Sequence, residues 1–399
     1  MEYLKLEELC TVITDGTHKT PTYSEQGYIF LSSKNVTSGK IDWKNIKYVS
    51  EELHYELSKR VTPQRNDILL AKNGTTGVGA LVDRDEPFDI YVSLALLRPN
   101  KKVYPPYLLL AINSSYSKHQ FNSRLKGIGV KNLHLKEIKN IIIPVPSIKE
   151  QKIISEILNK AQELISKRKK QIEELGLLVK SKFIEMFGDP SKNEKGWEIS
   201  KIGKYLNVLT DYHSNGSYES LRDNVTLLDT PSYALMVRTT DLEKNNFEYD
   251  VKYIDEHAYN HLEKSKVFGG EIIINKIGSA GKVYLMPFLN RPVSLAMNQF
   301  LLRFDENKVN HIFLYNLLST SYMEIKINEK VRGAVTKTIT KDAIKEINII
   351  IPPIELQNKF VDFVKQVDKL KFEIEKSLKE LDDNFNSLMQ KAFKGELFK

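Results

Sequence analysis

The run I-I-I-P-V-P-S-I-K-E-Q at residues 141–151 opens about forty residues of unbroken helical pattern that stop at Gly188. It occurs twice. With Gln151 set against Gln357, an offset of 206 residues, I-I-P-P-I-E-L-Q at 350–357 and the whole C-terminal helical pattern fall into place without a gap. The chain is therefore a tandem duplication, in which a globular half ends in a long helix and the same plan then follows again.

The helices are read from their period. Alternate steps of four and three residues from Phe360 visit Val364, Val367, Lys371 and Ile374 and continue to Ala392, and in the first copy the series runs from Ile154 and Leu158 through Arg168 to Lys182 and Met186. A stripe of this kind is a coiled-coil seam, which normally buries against a partner helix. The duplicated copy is the obvious partner. Ser147 and Glu150 stand in capping-box spacing, Gly188 and Pro190 stand past the end, and Pro353 suits the first turn of the second helix. At 1.5 Å per residue, forty residues span roughly 60 Å. Lys371, Arg168 and Lys182 interrupt the seam and are read as basic chains snorkelling at its edge.

Composition fits two such units. The 399 residues are enough for two domains with their own cores, 41% of them are apolar, and no apolar run approaches the span of a membrane helix. The N-terminus M-E-Y-L-K-L-E-E-L has no apolar signal core and Cys10 stands alone, so a cytoplasmic protein without a disulfide framework is expected. A net charge of +8 is a mild argument for a polyanionic partner, since Lys and Arg are offset by almost as many acids.

In the first half, an amphipathic piece at residues 4–9 precedes the turn-rich loop V-I-T-D-G-T-H-K-T-P-T-Y (residues 12–23). I-F-L-S-S-K-N-V (29–36) reads as a buried strand that delivers Lys34 and Asn35 at its end, and L-M-V-R-T-T-D-L (235–242) is its duplicate, delivering Arg238 and Thr239. The clearest internal repeat is D-I-L-L-A-K-N-G-T-T-G (67–77) against E-I-I-I-N-K-I-G-S-A-G (271–281). A four-residue apolar strand there runs into K-x-G-x-x-G. Small hydroxyls, exposed amides and one Lys suit a phosphate, although a plain hairpin turn accounts for the glycines equally well. Strands follow at 92–97 and 294–303, then helices from Pro106 and Ile312. Each half closes on a basic polar stretch, R-L-K-G-I-G-V-K-N-L (124–133) or K-V-R-G-A-V-T-K-T-I (330–339). Without regular strand and helix alternation, the halves are expected to be α+β.

No catalytic motif is evident. Y-P-P-Y (104–107) lacks the Asp or Asn of an amino-methyltransferase box, Gly74 and Gly79 are not followed by the Lys and hydroxyl of a P-loop, and His257 and His261 have no metal-ligand companions. Acid-x-Lys strings such as residues 137–139 arise by chance in a chain rich in both. A chain without an active site binds and positions. Two diverged globular units on paired helices can contact two separated patches of one extended ligand, and duplex DNA, with half-sites about 34 Å apart per turn, is such a ligand.

The doubled helix opening, the junction M-F-G-D-P-S-K-N-E-K-G-W (186–197), the terminal A-F-K-G-E-L (392–397) and the D-G-T-H-K-T-P loop together resemble the specificity subunit of type I restriction-modification systems. The resemblance covers the whole chain. It implies two similar mixed α/β target recognition domains (1–146 and 197–352), related by a pseudo-twofold and separated by antiparallel spacer helices (147–187 and 353–399), with a linker at 188–196. It further implies a non-catalytic subunit that reads a split asymmetric site in double-stranded DNA. Two methyltransferase subunits using S-adenosylmethionine, and restriction and translocase subunits using ATP and Mg, would be its partners, so the chain needs no cofactor of its own and no membrane. Two departures stand out: the first half lacks the Gly196-Trp197 entry, and Leu356 stands where the first helix has Glu150. A structural coiled-coil scaffold and a stand-alone DNA-modifying enzyme are the competing readings.

The expected DNA-binding residues are the polar and basic tips of the paired segments. They are Lys34, Asn35, Lys72, Asn73, Thr75, Thr76, Lys131 and Asn132 in the first half, and Arg238, Thr239, Lys276, Ser279, Lys282, Lys337 and Thr338 in the second. Arg, Lys and Asn can donate to purine edges, and hydroxyls or amides can hold phosphate. Thr17, His18 and Lys19 are weaker candidates.

Overall fold

The computed structural model describes residues 1–36, 39–125 and 132–397. It contains two compact units, residues 1–170 with 375–399 and residues 171–374, so each globular half carries a segment of both long helices. Among the described residues no helix is long and apolar enough to cross a membrane.

In the first unit, strands Cys10–Asp15, Leu94–Pro99, Ile68–Ala71 and Gly79–Leu81 form an antiparallel sheet in that order. All four residues of Ile68–Ala71 are buried because both faces of the sheet are covered. Ile68, Leu70, Ala95 and Leu97 face a core with Tyr107 and Leu108 of the helix Pro105–Asn113. Leu69, Ala71, Leu94 and Leu96 face Leu31, Phe88 and Ile90 of a three-stranded sheet. Period-two alternation with apolar residues on both sides yields the continuous apolar run seen in the sequence.

The second unit repeats the plan. Leu206–Asp211, Gln299–Phe304, Ile272–Asn275 and Val283–Leu285 make the central sheet. Ile272 and Ile274 point to the helical core, while Ile273 points to a core shared with Leu235, Val237 and Val293 of the outer sheet. That outer sheet has four strands rather than three. In each unit a two-stranded ladder closes the domain, Glu2–Lys5 against Ile142–Val145 in one and Glu198–Lys201 against Asn348–Ile351 in the other.

The long helices run Ile148–Phe187 and Ile354–Lys394. Every seam position named above is buried or half-buried, including Lys371, Arg168 and Lys182. Ile154 and Leu158, near the start of the first helix, share a core with Ala392 and Phe393 at the end of the second. Phe187, at the end of the first, packs on Phe360 at the start of the second, with ring centroids 5.5 Å apart. The two helices are therefore antiparallel. Ser147 and Glu150 form the expected capping box, the Glu150 N–H donating to Ser147 Oγ at 3.3 Å and the Ser147 N–H to Glu150 Oε2 at 2.8 Å. Gly188 ends the helix at φ +78°.

Several local expectations are corrected. Residues 4–9 divide into a strand, Glu2–Lys5, and a short helix, Leu6–Leu9. The stretch 29–36 is a strand only to Leu31 and then turns into a 3-10 helix, Ser33–Val36; residues 235–242 are likewise a strand, Ala234–Val237, and then a helix, Thr239–Lys244. The single strand expected at 294–303 is two, Val293–Leu295 and Gln299–Phe304, in different sheets. At 4–9 and 294–303 an apolar pattern continues across the bend, which periodicity does not register, whereas at 29–36 and 235–242 the strand stops where the apolar run does.

Candidate nucleic-acid interface

The K-x-G-x-x-G segments are β-hairpins. The Gly77 N–H donates to the Ala71 carbonyl at 2.8 Å, and the Gly281 N–H donates to the Asn275 carbonyl at 2.8 Å. The last glycine of each is required twice over. Gly77 and Gly281 have φ +80° and +86°, and a Cβ there would lie 3.0 Å from Phe121 and 2.8 Å from Ile327 respectively.

Against each hairpin base lies the end of the closing stretch, Asn132 and Leu133 in one unit and Thr338 and Ile339 in the other. The Leu133 N–H donates to the Lys72 carbonyl at 2.9 Å, and Asn73 bridges Asn132. In the second unit the Ile339 N–H donates to the Lys276 carbonyl at 3.1 Å, and Ile277 bridges Thr338. The fold thus joins Asn73, Thr75, Thr76 and Asn132 on one tip, and Ser279, Lys282, Lys337 and Thr338 on the other. Thr75, Ser279, Lys282 and Lys337 are exposed. Ser279 Oγ accepts from Asn275 Nδ2 at 2.8 Å and donates to Glu243 Oε1 at 3.1 Å, with Lys282 Nζ 3.7 Å from the same carboxylate. Thr239 Oγ1 reaches Asn275 Oδ1 at 3.5 Å, which places it at the edge of this cluster. Lys34 is exposed on its 3-10 turn. Lys131 lies outside the described residues.

Three expected contacts have other roles. Lys72 is buried, its Nζ donating to Asp15 Oδ2 at 2.5 Å. Asn35 is also buried and ties a loop, accepting from the Ser32 N–H and donating to the Asn45 carbonyl, both at 2.9 Å. Arg238 spends its guanidinium on Asp241, at 2.7 Å, and on the Asp250 carbonyl.

Residues the sequence did not single out complete the site. Asp15, at the end of strand Cys10–Asp15, also accepts from Arg60 Nη2 at 2.6 Å and lies 3.3 Å from His18 Nε2. Asp211, at the end of Leu206–Asp211, accepts from Lys276 at 3.0 Å, Lys341 at 2.9 Å and Ser214 at 2.6 Å. Burial pushes the Asp211 carboxyl up, but the bonds from Ser214, Lys341 and Lys276 outweigh it and hold the pKa at about 2. Asp15 follows the same balance: burial raises it, and Lys72, Arg60 and His18 bring it below the ordinary value. The repeated strings V-I-T-D (12–15) and V-L-T-D (208–211) were the available signal for the two carboxylates. At the 206-residue offset Lys341 stands against Leu135, and Arg60 against Lys266, which pairs with Glu263 instead, so the repeat did not mark either as a partner of these carboxylates.

The same scaffold is built twice, with a glycine hairpin and the end of the closing stretch meeting in each copy. The model of the type I restriction modification DNA specificity domain matches residues 1–175 and again 194–381. The chain belongs to that family, the specificity subunits of type I restriction-modification systems. It is 24% identical to the type I restriction enzyme StySPI specificity subunit of Salmonella potsdam over 413 residues, covering 97% of this chain and 87% of that one. To the MjaVIII specificity subunit of Methanocaldococcus jannaschii it is 25% identical over 367 residues, covering 88% and 82%. The crystal structure of the type I restriction-modification S subunit from M. genitalium shares the fold at a TM-score of 0.57 and 16% identity, covering 98% of this chain and 96% of that one.

Proposed function

We propose that this subunit reads a bipartite, asymmetric site in duplex DNA, one half with each unit, and positions methyltransferase and restriction subunits on it. The carrying observation is the repeated scaffold with unlike tips, where Asn73, Thr75 and Thr76 correspond to Ile277, Ser279 and Ala280. Phosphate contacts position a protein, whereas base-edge contacts specify, so one frame with two sets of tip side chains suits two half-sites of different sequence. Thr75, Thr76, Asn73 and Asn132 serve the first half-site; Ser279, Lys282, Lys337 and Thr338 serve the second. The paired antiparallel helices set the unread spacer. Methyl transfer, with S-adenosylmethionine and adenine flipping, and ATP-driven cleavage with Mg are assigned to the partner subunits, and this chain takes no cofactor.

The test is a methylome of cells expressing the chain with its neighbouring methyltransferase, before and after residues 1–146 are exchanged for another such domain. One half of the methylated motif should change while the other half and the spacer stay. A contiguous motif, or a change in both halves, would refute the reading.

A further inference from the structure

Each unit buries one carboxylate that holds two strong cations. Asp15, 3% exposed, holds Lys72 and Arg60, and Asp211, 4% exposed, holds Lys276 and Lys341. Each group has one negative charge and two positive ones, so a surplus positive charge lies at the base of each glycine hairpin. A pair that only stabilised the fold would need a single cation, and the buried Lys72 already serves that purpose in the first unit. The second cation is more open: the side chain of Arg60 is 49% exposed and that of Lys341 35%. Arg60 is further oriented by its Nε, which donates to the Asp15 carbonyl at 3.0 Å, and Lys341 by the Ser214 hydroxyl at 2.9 Å. Long basic side chains otherwise sample many rotamers, and a fixed partner aims them before a ligand arrives.

We infer that Asp15 and Asp211 are positioning residues for DNA, each aiming one outer cation, Arg60 or Lys341, at a backbone phosphate. Lys72 is then no phosphate contact but the inner half of this device. The inference rests on the duplex-reading function proposed above. It reverses the sign that simple electrostatics gives: removing an acid near a polyanion should strengthen binding, whereas removing an aiming group weakens it.

The full chain is titrated with a 40-bp duplex of random sequence over a range of salt concentrations. Lys341→Ala and Arg60→Ala should each lower the slope of log affinity against log salt by about one unit. Asp211→Asn should lower affinity by about tenfold despite the loss of a negative charge, and Asp211→Asn with Lys341→Ala should bind no more weakly than Lys341→Ala alone. A rise in affinity for Asp211→Asn, or unchanged slopes for both cation variants, overturns the inference. If Asp211→Asn does not fold, the two cation variants decide the matter alone. A wild-type chain that ignores duplex DNA overturns the underlying reading and this inference together, whereas wild-type binding with unaffected variants overturns the inference only.

Discussion

Gln151 Oε1 accepts the backbone N–H of Tyr104 at 2.7 Å. Its Nε2 donates to the carbonyls of Pro146 at 2.9 Å and Lys102 at 3.2 Å, so one fully buried amide joins the first turn of the long helix to the residue that follows strand Ile142–Val145 and to the loop that opens the helix Pro105–Asn113. Gln357 repeats the pattern with the Asn310 N–H and the Pro352 and Lys308 carbonyls. The glutamine that aligns the two copies is thus the pin that fixes each helix to its globular half.

Gln151→Leu leaves one buried N–H and two carbonyls without their partner, and should destabilise the first unit by about 2–3 kcal/mol. Denaturant unfolding of the full chain measures it, and Gln357→Leu should do the same in the second unit. An unchanged midpoint would mean that water replaces the amide without penalty.

Lys72→Ala should act on stability rather than on the salt slope of DNA binding. Removing a buried partner from Asp15 costs on the order of 2 kcal/mol, moderated because Arg60 remains. The salt titration separates the two roles: a slope lowered by about one unit with unchanged melting would restore Lys72 as a phosphate contact.

Asp211 makes the second unit acid-sensitive. Its folded pKa of about 2 lies below the ordinary 3.8, so its stabilisation is present above the unfolded value and is lost as pH falls through the folded one. Melting temperature should therefore drop between about pH 4 and pH 2, and Asp211→Asn should flatten that part of the profile. A variant whose acid profile matches the wild type would remove Asp211 from the balance.

Deleting one matched heptad from each long helix shortens the pair by about 10 Å, roughly three base-pair steps of duplex. The methylated motif should keep both half-site sequences and lose about that much spacer. Altered half-sites at constant spacing would contradict the proposed role of the helices.

The duplication, the period of both helices, their seam and the buried apolar strands were legible as linear pattern, because each depends on order along the chain: 3.5 residues for the seam, an unbroken apolar run for the strands, and a capping box and glycine at the bounds of the first helix, whereas the second helix, expected over 353–399, runs Ile354–Lys394. The roles of the tips were not. Lys72 and Lys276 occupy the same place in the same string, yet Lys72 is sealed beneath the hairpin while Lys276 is about a quarter exposed. Lys341 meets Asp211 across 130 residues of chain. Which way a long side chain turns, and which charge it finds there, is settled when separate segments pack together. Burial then compels each polar group to take whatever partner the fold has placed within reach.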